Sequence, residues 1–268
     1  MGILNVTPDS FSDGGHYATL GTALGRARQM IAEGVDLIDI GGESTRPGAM
    51  PVTEELEISR TAPVVAALRT EWDGLISIDS SKAAVARAAL AAGADIVNDV
   101  SGLLRDQAMA GVCAASGCGV VVMHMLGEPR TMQVNPHYAD VVASVRGFFA
   151  ERLASLTAAG IAREALCFDP GIGFGKTLEH NLTLLRQLEN LAVDERPLLL
   201  GVSRKSFIGQ ALGTDDPTAR EGPSVALTAY AREKRVMLHR VHAVQPNVAA
   251  LRMIEALLGT RGTCEWVP

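Results

Sequence analysis

A regular alternation of short β-rich apolar runs with longer segments of helical period restricts the fold of this chain more than any other feature. Such alternation is typical of consecutive βα units around a parallel sheet. The runs predicted to form strands are Gly2 to Asn5, Leu37 to Ile40, Leu75 to Ile78, Ile96 to Asn98, Gly119 to Met123, Leu166 to Asp169, Leu198 to Ser203 and Met237 to His242. Eight such units are the number that closes a (β/α)8 barrel.

The segments between these runs are predicted to form helices. They are Thr22 to Ala32, Thr53 to Leu68 with a kink at Pro63, Lys82 to Ala92, Gln107 to Ala115, Val141 to Ala159, Glu179 to Leu191, Ser224 to Lys234 and Asn247 to Leu258. The length of 268 residues agrees with the roughly 250 of a typical barrel. We therefore predict an α/β protein with a single domain, a (β/α)8 TIM barrel over residues 1–268. An open doubly wound sheet is the alternative, but it usually has fewer strands and a dinucleotide fingerprint.

The stretch from Leu166 to Lys176 ends an apolar run on Asp169, and a proline and three alternating glycines follow. It is not a Walker phosphate loop, because only three residues separate Gly171 from Gly175 where the motif needs four. The spacing of the glycines also excludes the dinucleotide fingerprint. An aspartate that caps a turn is the structural interpretation. The functional one is a loop whose backbone approaches a ligand closely at a strand end.

Charge and cysteine content exclude several classes of protein. A formal charge of −6 argues against a nucleic-acid surface, which needs a clustered basic face. Cys113, Cys118, Cys167 and Cys264 form no Cys-x-x-Cys pair and have no histidine at zinc-finger spacing, so we predict neither a disulfide framework nor a zinc site. The sequence contains no leader pattern and no run of about 18 apolar residues, which predicts a reduced, cytoplasmic protein without a membrane partner.

Polar residues follow all eight predicted strands. They are Asn5, Asp39 with Glu43 to Arg46, Asp79 to Lys82, Asn98 with Asp99, His124, Asp169, Ser203 to Ser206, and Arg240 with His242. In a barrel these ends meet at one mouth, where barrel enzymes place their chemistry. Arg240 and His242 lie two apart and should face the same side of a strand. Two polar loops, Val6 to Gly15 and Gly41 to Pro51, are predicted to be mobile covers of this shared site.

Seven motifs carry a family resemblance. They are Met1 to Gly15 (MGILNVTPDSFSDGG), Ile38 to Gly48 (IDIGGESTRPG), Ile76 to Lys82 (ISIDSSK), Val97 to Asp99 (VND), Asp169 to Lys176 (DPGIGFGK), Ser203 to Ser206 (SRKS) and Arg240 to His242 (RVH). In this order, and nearly from end to end, the chain resembles the dihydropteroate synthase family. The resemblance implies a transferase that joins 6-hydroxymethyl-7,8-dihydropterin diphosphate to p-aminobenzoate in folate synthesis. It also implies a Mg²⁺ cofactor, a homodimer and inhibition by sulfonamides.

The resemblance assigns a role to each matching position. For the pterin it implies Asp79, Asn98, Val100, Met123, Asp169, Lys205 and Arg240. A pterin edge presents several N–H donors and a carbonyl, which carboxylates, an amide and a lysine can bind. Arg240 would stack on the ring and also meet phosphate. Asp79 alone is equally compatible with a helix N-cap, and His242 alone with an ordinary structural histidine.

The other implied positions concern the leaving group and the second substrate. Diphosphate would be bound by Asn5, Arg46, Arg240 and His242, with Asn5 as a sparse Mg²⁺ ligand. p-Aminobenzoate would be bound by Thr45, Arg46, Pro47, Phe174, Ser203, Lys205 and Ser206, where Ser206 opens a helix after the seventh strand. The catalytic set would be Lys205, Asp169, Arg240, His242 and Asp13. No general base is required, because an arylamine is already neutral at pH 7.

Two departures from the family and two alternative functions stay open at this stage. Ala243 replaces the Asp usual after Arg-Val-His and should point away from the face of Arg240. Relatives also usually carry a short segment before the first strand, so either this chain is shortened or its barrel floor is more exposed. A methyltetrahydrofolate-corrinoid methyltransferase would share the floor but not the Ser-Thr-Arg-Pro-Gly or Ser-Arg-Lys-Ser motifs. A catalytically silent pterin-binding paralogue would lack catalytic residues, which are all present.

Overall fold

Eight parallel strands form the centre of the molecule in a computed structural model, which describes residues 1–7, 16–44, 50–128 and 131–259. The strands are β1 Gly2–Asn5, β2 Leu37–Gly41, β3 Leu75–Asp79, β4 Ile96–Asp99, β5 Gly119–Met123, β6 Leu166–Asp169, β7 Leu199–Leu200 and β8 Leu238–His239. All eight lie within or next to the predicted runs. β7 and β8 are shorter than predicted, because only single backbone hydrogen bonds join the two segments at the ends of their pairing. Arg240 N, for example, donates to Leu200 O at 3.0 Å.

The strands close into a barrel. β1 to β6 pair in chain order, and β7 pairs with β8. Backbone hydrogen bonds join these sheets on both sides. Phe168 N donates to Pro197 O and Ile3 N to Val241 O, both at 3.0 Å, and Val241 N donates to Met1 O at 2.9 Å. The fold is therefore the predicted (β/α)8 TIM barrel.

Helices surround the strands. They are α1 His16–Ala32, α2 Glu54–Arg69, α3 Ala83–Ala91, α4 Met109–Ser116, α5 Val141–Ala158, α6 Leu178–Arg186, α7 Ser206–Leu212, α8 Glu221–Glu233 and α9 Val244–Leu258. α7 begins at Ser206 as expected but is a short separate helix, so two helices connect β7 to β8. α6 ends five residues before the predicted Leu191 because a 3₁₀ turn, Leu188–Asn190, takes its place. No helix within the described ranges is long and apolar enough to cross a membrane.

The barrel interior is built in layers that follow the period of two along each strand. An apolar layer of Leu37, Ile96, Val121, Cys167 and Leu199 fills the end where the strands begin. Two positions further along the same strands lie Asp39, Asn98, Met123, Asp169 and Gly201. A mostly polar layer therefore lies directly above the apolar one, at the end of the barrel where function was predicted.

Ala243 is the N-cap residue of α9 and has no side chain that can bond the free N–H groups of the first turn. An aspartate at an N-cap accepts such a bond and stabilises a protein by about 0.5–2 kcal/mol relative to alanine. We expect Ala243→Asp to raise the free energy of unfolding by this amount, measured by urea denaturation. Ala243→Val, which offers no acceptor, is the control, and an equal gain in both variants would contradict the capping explanation.

Candidate active site

Four polar side chains of the interior form one hydrogen-bonded network. Arg240 Nε donates to Asp39 Oδ2 and Arg240 Nη2 donates to Asp79 Oδ2, both at 2.6 Å. Asn98 Nδ2 donates to the same Asp39 oxygen at 3.1 Å. Asp39, Asp79 and Asn98 are buried, so the guanidinium joins two carboxylates shielded from solvent. This network fixes the orientation of the side chains that were predicted to bind the pterin.

Asp39 was not among the predicted binding residues, yet it is the centre of the network. Its Oδ1 atom has no hydrogen-bond partner within the described residues, although it is fully buried. A carboxylate in the middle of the apolar run Leu37 to Gly41 was the signal available in the sequence, because a buried charge needs a cation close by. Asp79 is not a helix N-cap, because Lys82 occupies that position in α3.

Burial changes the protonation of the network. It raises the pKa of Asp79 to about 7, although the positive charge of Arg240 opposes the change. Burial also disfavours the charge of Arg240, but Asp39 and Asp79 outweigh it and raise the pKa of the guanidinium. Asp79 therefore titrates close to neutral pH while its partner stays charged.

Asp169 and Lys205 meet above Gly201. A Cβ atom at position 201 would lie 3.7 Å from Asp169 Oδ2 and 4.0 Å from Lys205 Nζ, so glycine leaves the space between the two groups open. Lys205 Nζ donates to Ile172 O and lies 4.4 Å from the centroid of the Phe174 ring. Burial lowers the pKa of Lys205 to about 8, against the opposing charge of Asp169, and raises the pKa of Asp169.

Asp169 has a structural role as well. Its Oδ1 atom accepts a hydrogen bond of 2.7 Å from Gly171 N, which caps the turn into the glycine loop, residues 171–175. The turn-capping interpretation of this aspartate is thus correct for one oxygen. The other oxygen faces Gly201, close to Lys205.

The remaining predicted residues lie around this centre where the structure describes them. Ser203 Oγ is 3.0 Å from His242 Nδ1, which joins one predicted p-aminobenzoate residue to one predicted diphosphate residue. Asn5 Oδ1 and Asp79 Oδ2 both come within 3.7 Å of the position a Cβ of Gly41 would occupy. Met123 and Val100 are buried, and a cavity of about 300 Å³ opens beside Val100 and Asp79.

The structure describes some of the remaining predicted residues and not others. Phe174 is half-buried beside Lys205, and exposed Ser206 is the first residue of α7. Asp13, Thr45, Arg46 and Pro47 lie outside the described residues, so their roles stay predictions. No group of three acidic, histidine or cysteine side chains able to hold a metal occurs in the described part of the chain.

A second charged cluster was missed by sequence reasoning. Lys82 Nζ donates to Glu43 Oε2 at 2.6 Å and to Glu57 Oε2 at 2.5 Å. Glu43 Oε2 also accepts a bond of 2.9 Å from Val52 N, so it joins the two sides of the loop that spans Gly41 to Pro51. Sequence could not reveal this cluster, because Lys82 belongs to the third βα unit while Glu43 and Glu57 belong to the loop and helix of the second.

Comparison with known proteins agrees with this geometry. A family model described as pterin binding enzyme matches residues 1–242. The dihydropteroate synthase of Escherichia coli strain K12 is 46% identical over 261 residues, which cover 97% of this chain and 92% of that protein. The chain belongs to the dihydropteroate synthase family.

Solved structures of other dihydropteroate synthases have the same fold. The Yersinia pestis enzyme, in a complex with a sulfonamide drug, superposes with a TM-score of 0.91 at 45% identity and covers 97% of this chain and 94% of its own. The Burkholderia cenocepacia enzyme, complexed with 7,8-dihydropteroate, gives 0.87 at 45% identity, with coverages of 97% and 91%. The family assignment drawn from the seven motifs is confirmed, and the protein is an enzyme of this class.

Proposed function

We propose that this protein condenses 6-hydroxymethyl-7,8-dihydropterin diphosphate with p-aminobenzoate and forms 7,8-dihydropteroate and diphosphate. The observation that carries the proposal is the convergence of buried Asp79, Asn98 and Asp169 with half-buried Lys205 and Arg240 at the carboxyl ends of the strands. Relatives that are 45–46% identical over most of this chain are dihydropteroate synthases, and one of them is known with 7,8-dihydropteroate bound.

The polar layer has the donors and acceptors that a pterin requires. Asp79 and Asp169 offer carboxylate oxygens to the ring N–H groups, and Asn98 can both donate and accept. Lys205 would donate to the ring carbonyl and the adjacent nitrogen. Buried Met123 and Val100 would flank the ring. Because Arg240 is already fixed by two carboxylates, its guanidinium plane can contact the ring face without a further loss of conformational entropy.

Departure of the diphosphate is the step that needs positive charge. The bond between the pterin methylene carbon and the diphosphate oxygen breaks, its electron pair leaves with the oxygen, and the ring delocalises the resulting cation. Arg240 and His242, with Arg46, would stabilise the departing anion. Mg²⁺ prefers few protein oxygens and several phosphate oxygens, and Asn5 Oδ1 is a suitable single ligand for it. Bound there, the ion would neutralise charge on the leaving group.

The arylamine then attacks the methylene cation. Its nitrogen lone pair forms the new carbon–nitrogen bond, and the proton it loses passes to solvent. Phe174, Pro47 and the aliphatic stem of Lys205 would hold the benzene ring, and Thr45 would bind near the amine. Ser203 and Ser206 would bind the carboxylate, and Asp13 would close over the amine. A sulfonamide carries the same aniline group, so we propose that it competes for this pocket.

One experiment tests the proposal directly. Purified protein with Mg²⁺ and the pterin diphosphate should release diphosphate and form dihydropteroate, identified by mass, only when p-aminobenzoate is added. A methyltransferase of the related corrinoid class would release none. Formation of no dihydropteroate by folded protein would refute the proposed reaction, and inhibition by sulfonamide that is not competitive with p-aminobenzoate would refute the pocket.

Affinity for a pterin should depend on pH with a maximum between the pKa values of Asp79 and Lys205, about 7 and about 8. Below the lower value Asp79 gains a proton and no longer accepts from a ring N–H. Above the higher value Lys205 loses its charge and donates more weakly. We expect calorimetric titration with 7,8-dihydropteroate, from about pH 5.5 to about pH 9.5, to give a bell-shaped profile.

Two variants test which residue causes each side of the bell-shaped profile. Asp79→Asn should flatten the acidic limb and leave the alkaline one, and Lys205→Met should do the reverse. A wild-type affinity that does not change across the range would contradict both assignments.

We also propose that the enzyme is a cytoplasmic homodimer. Exposed Met253 and Leu257 lie one turn apart on α9 and present an apolar surface that a second copy could cover. Sedimentation analysis tests the dimer, with Met253→Glu combined with Leu257→Glu as the variant expected to dissociate it. A monomeric wild type would refute this part of the proposal.

A further inference from the structure

The glycine loop is held by side chains rather than by a backbone ladder. Every carbonyl oxygen of residues 171–175 accepts a hydrogen bond from a side chain of another segment or from Lys176. The donors are Lys176 for Gly171 and Phe174, Lys205 for Ile172, Gln133 for Gly173 and Tyr138 for Gly175. The conformation of this loop therefore depends on five hydrogen bonds that are donated by four side chains.

Lys176 makes two of those contacts from the buried side. Its Nζ atom is 3.0 Å from both Gly171 O and Phe174 O, and its side chain is buried. The same atom is 3.0 Å from His124 Nδ1 and 3.3 Å from His124 O. Since burial lowers the pKa of His124 to about 3, the ring is neutral and Nδ1 can accept. Burial lowers the pKa of Lys176 to about 7, although the charge of Asp169 opposes the change. In its protonated form the amine offers three protons to these four acceptors.

The two lysines hold the loop from opposite sides. Lys176 turns the carbonyls of Gly171 and Phe174 toward the interior. This leaves the carbonyl of Ile172 and the ring of Phe174 directed at Lys205, the contact that defines one wall of the candidate p-aminobenzoate pocket. Without the Lys176 amine, Phe174 O would lose its donor and Gly171 O would keep only the hydrogen bond from Phe174 N. An unpaired carbonyl at this depth is costly enough to rearrange the loop.

We propose that Lys176 is a positioning residue for the second substrate: it fixes the glycine loop so that Phe174 and Ile172 O meet Lys205. This inference rests on the proposed function. The effect should be specific, because Asp39, Asp79, Asn98 and Arg240 bond to one another and not to the loop among the contacts of the described residues. Asp169 is the link between the two regions, through Gly171 N.

The test is the kinetics of Lys176→Met, which keeps the length of the side chain and removes its donors. We expect the KM for p-aminobenzoate to rise by about tenfold or more, since small displacements of binding groups have effects of this size. The KM for the pterin diphosphate should rise by less, because Asp79, Asn98 and Arg240 stay bonded within their own network with Asp39. Among the proposed pterin ligands only Asp169 and Lys205 contact the loop.

Arg69→Met is the matched control. Arg69 lies at the opposite end of the barrel, where it donates to the carbonyls of Trp72, Gly74 and Gly93. Its loss also leaves carbonyls without a donor, but far from the pocket. The positioning role is supported if both variants lose a comparable amount of stability and only Lys176→Met changes the ratio of the KM for p-aminobenzoate to the KM for the pterin diphosphate.

Other outcomes overturn it. Equal increases in both KM values, or a lower Tm with neither KM changed, would mean that Lys176 acts on the whole site or on stability alone. If Lys176→Met does not fold, Lys176→Gln is the second variant, because its side chain ends one atom shorter and places an acceptor oxygen beside the same carbonyls. An unchanged ratio of the two KM values in that variant overturns the inference. If the wild type forms dihydropteroate and Lys176→Met has the same two KM values, only this inference is refuted. A folded wild type that forms none refutes the proposed function itself.

Discussion

Lys205→Met and Asp169→Asn should each lower kcat/KM by about 10- to 150-fold, the effect of removing one charged hydrogen-bond partner worth about 1.5–3 kcal/mol. The two groups lie on either side of Gly201, and the proposed pterin contacts need one donor and one acceptor there. Each substitution keeps the side chain close to its original size. Lys205→Met removes the charge and the donors, and Asp169→Asn removes the charge and replaces one acceptor oxygen by an amide donor. The measurement is steady-state kinetics with both substrates varied.

The control for these variants is Lys234→Met, since Lys234 is a surface lysine paired with Glu189 at 3.2 Å. Circular dichroism should match the wild type in all three proteins. Near-normal kcat/KM in either active-site variant, in folded protein, would remove Asp169 or Lys205 from the proposed binding floor.

Gly171→Ala should cause the largest loss of stability in the glycine loop. A Cβ at this position would lie 1.9 Å from His124 O, a backbone atom that cannot move aside. The φ angle is also +63°, which disfavours any residue with a side chain. Adding about 1–2 kcal/mol for the left-handed backbone and about 1–3 kcal/mol for the overlap gives a loss of roughly 2–5 kcal/mol.

Gly173→Ala is the matched comparison for that prediction. Its φ of +83° has a similar backbone cost, but the nearest atom to the new Cβ is Lys205 Cδ at 3.2 Å, in a flexible side chain. We expect a loss of only about 1–2 kcal/mol in urea denaturation. Equal losses in the two variants would show that the contact with His124 does not limit the loop.

Local pattern was sufficient to predict the barrel and the convergence of polar residues at the ends of its strands. Alternating apolar and polar positions placed Asp79, Asn98 and Asp169 at strand ends, and the structure brings these residues into one layer. The same period correctly put Arg240 on the inner face of its strand. These successes depend on properties of short segments, which is why the sequence alone could supply them.

Long-range partners could not be predicted in the same way. Asp39 and Arg240 are 201 residues apart, and no local pattern indicates that one holds the other. Lys176 was assigned no role, because it binds backbone carbonyls, and the sequence of side chains does not show which carbonyls lie near a given lysine. For α7 only the first residue, Ser206, was predicted, because its end at Leu212 follows from how that region packs on the barrel.

The closure of the barrel by its last strand has a consequence for how this enzyme folds during synthesis on the ribosome. Strands β1 to β6 pair in the order of synthesis, but the guanidinium that neutralises Asp39 and Asp79 belongs to residue 240, among the last of the barrel to emerge. Until then the nascent chain holds two inward carboxylates without their cation. We expect a stalled chain that ends before β8 to be sensitive to protease, and resistance to appear with the same residues that complete the binding floor.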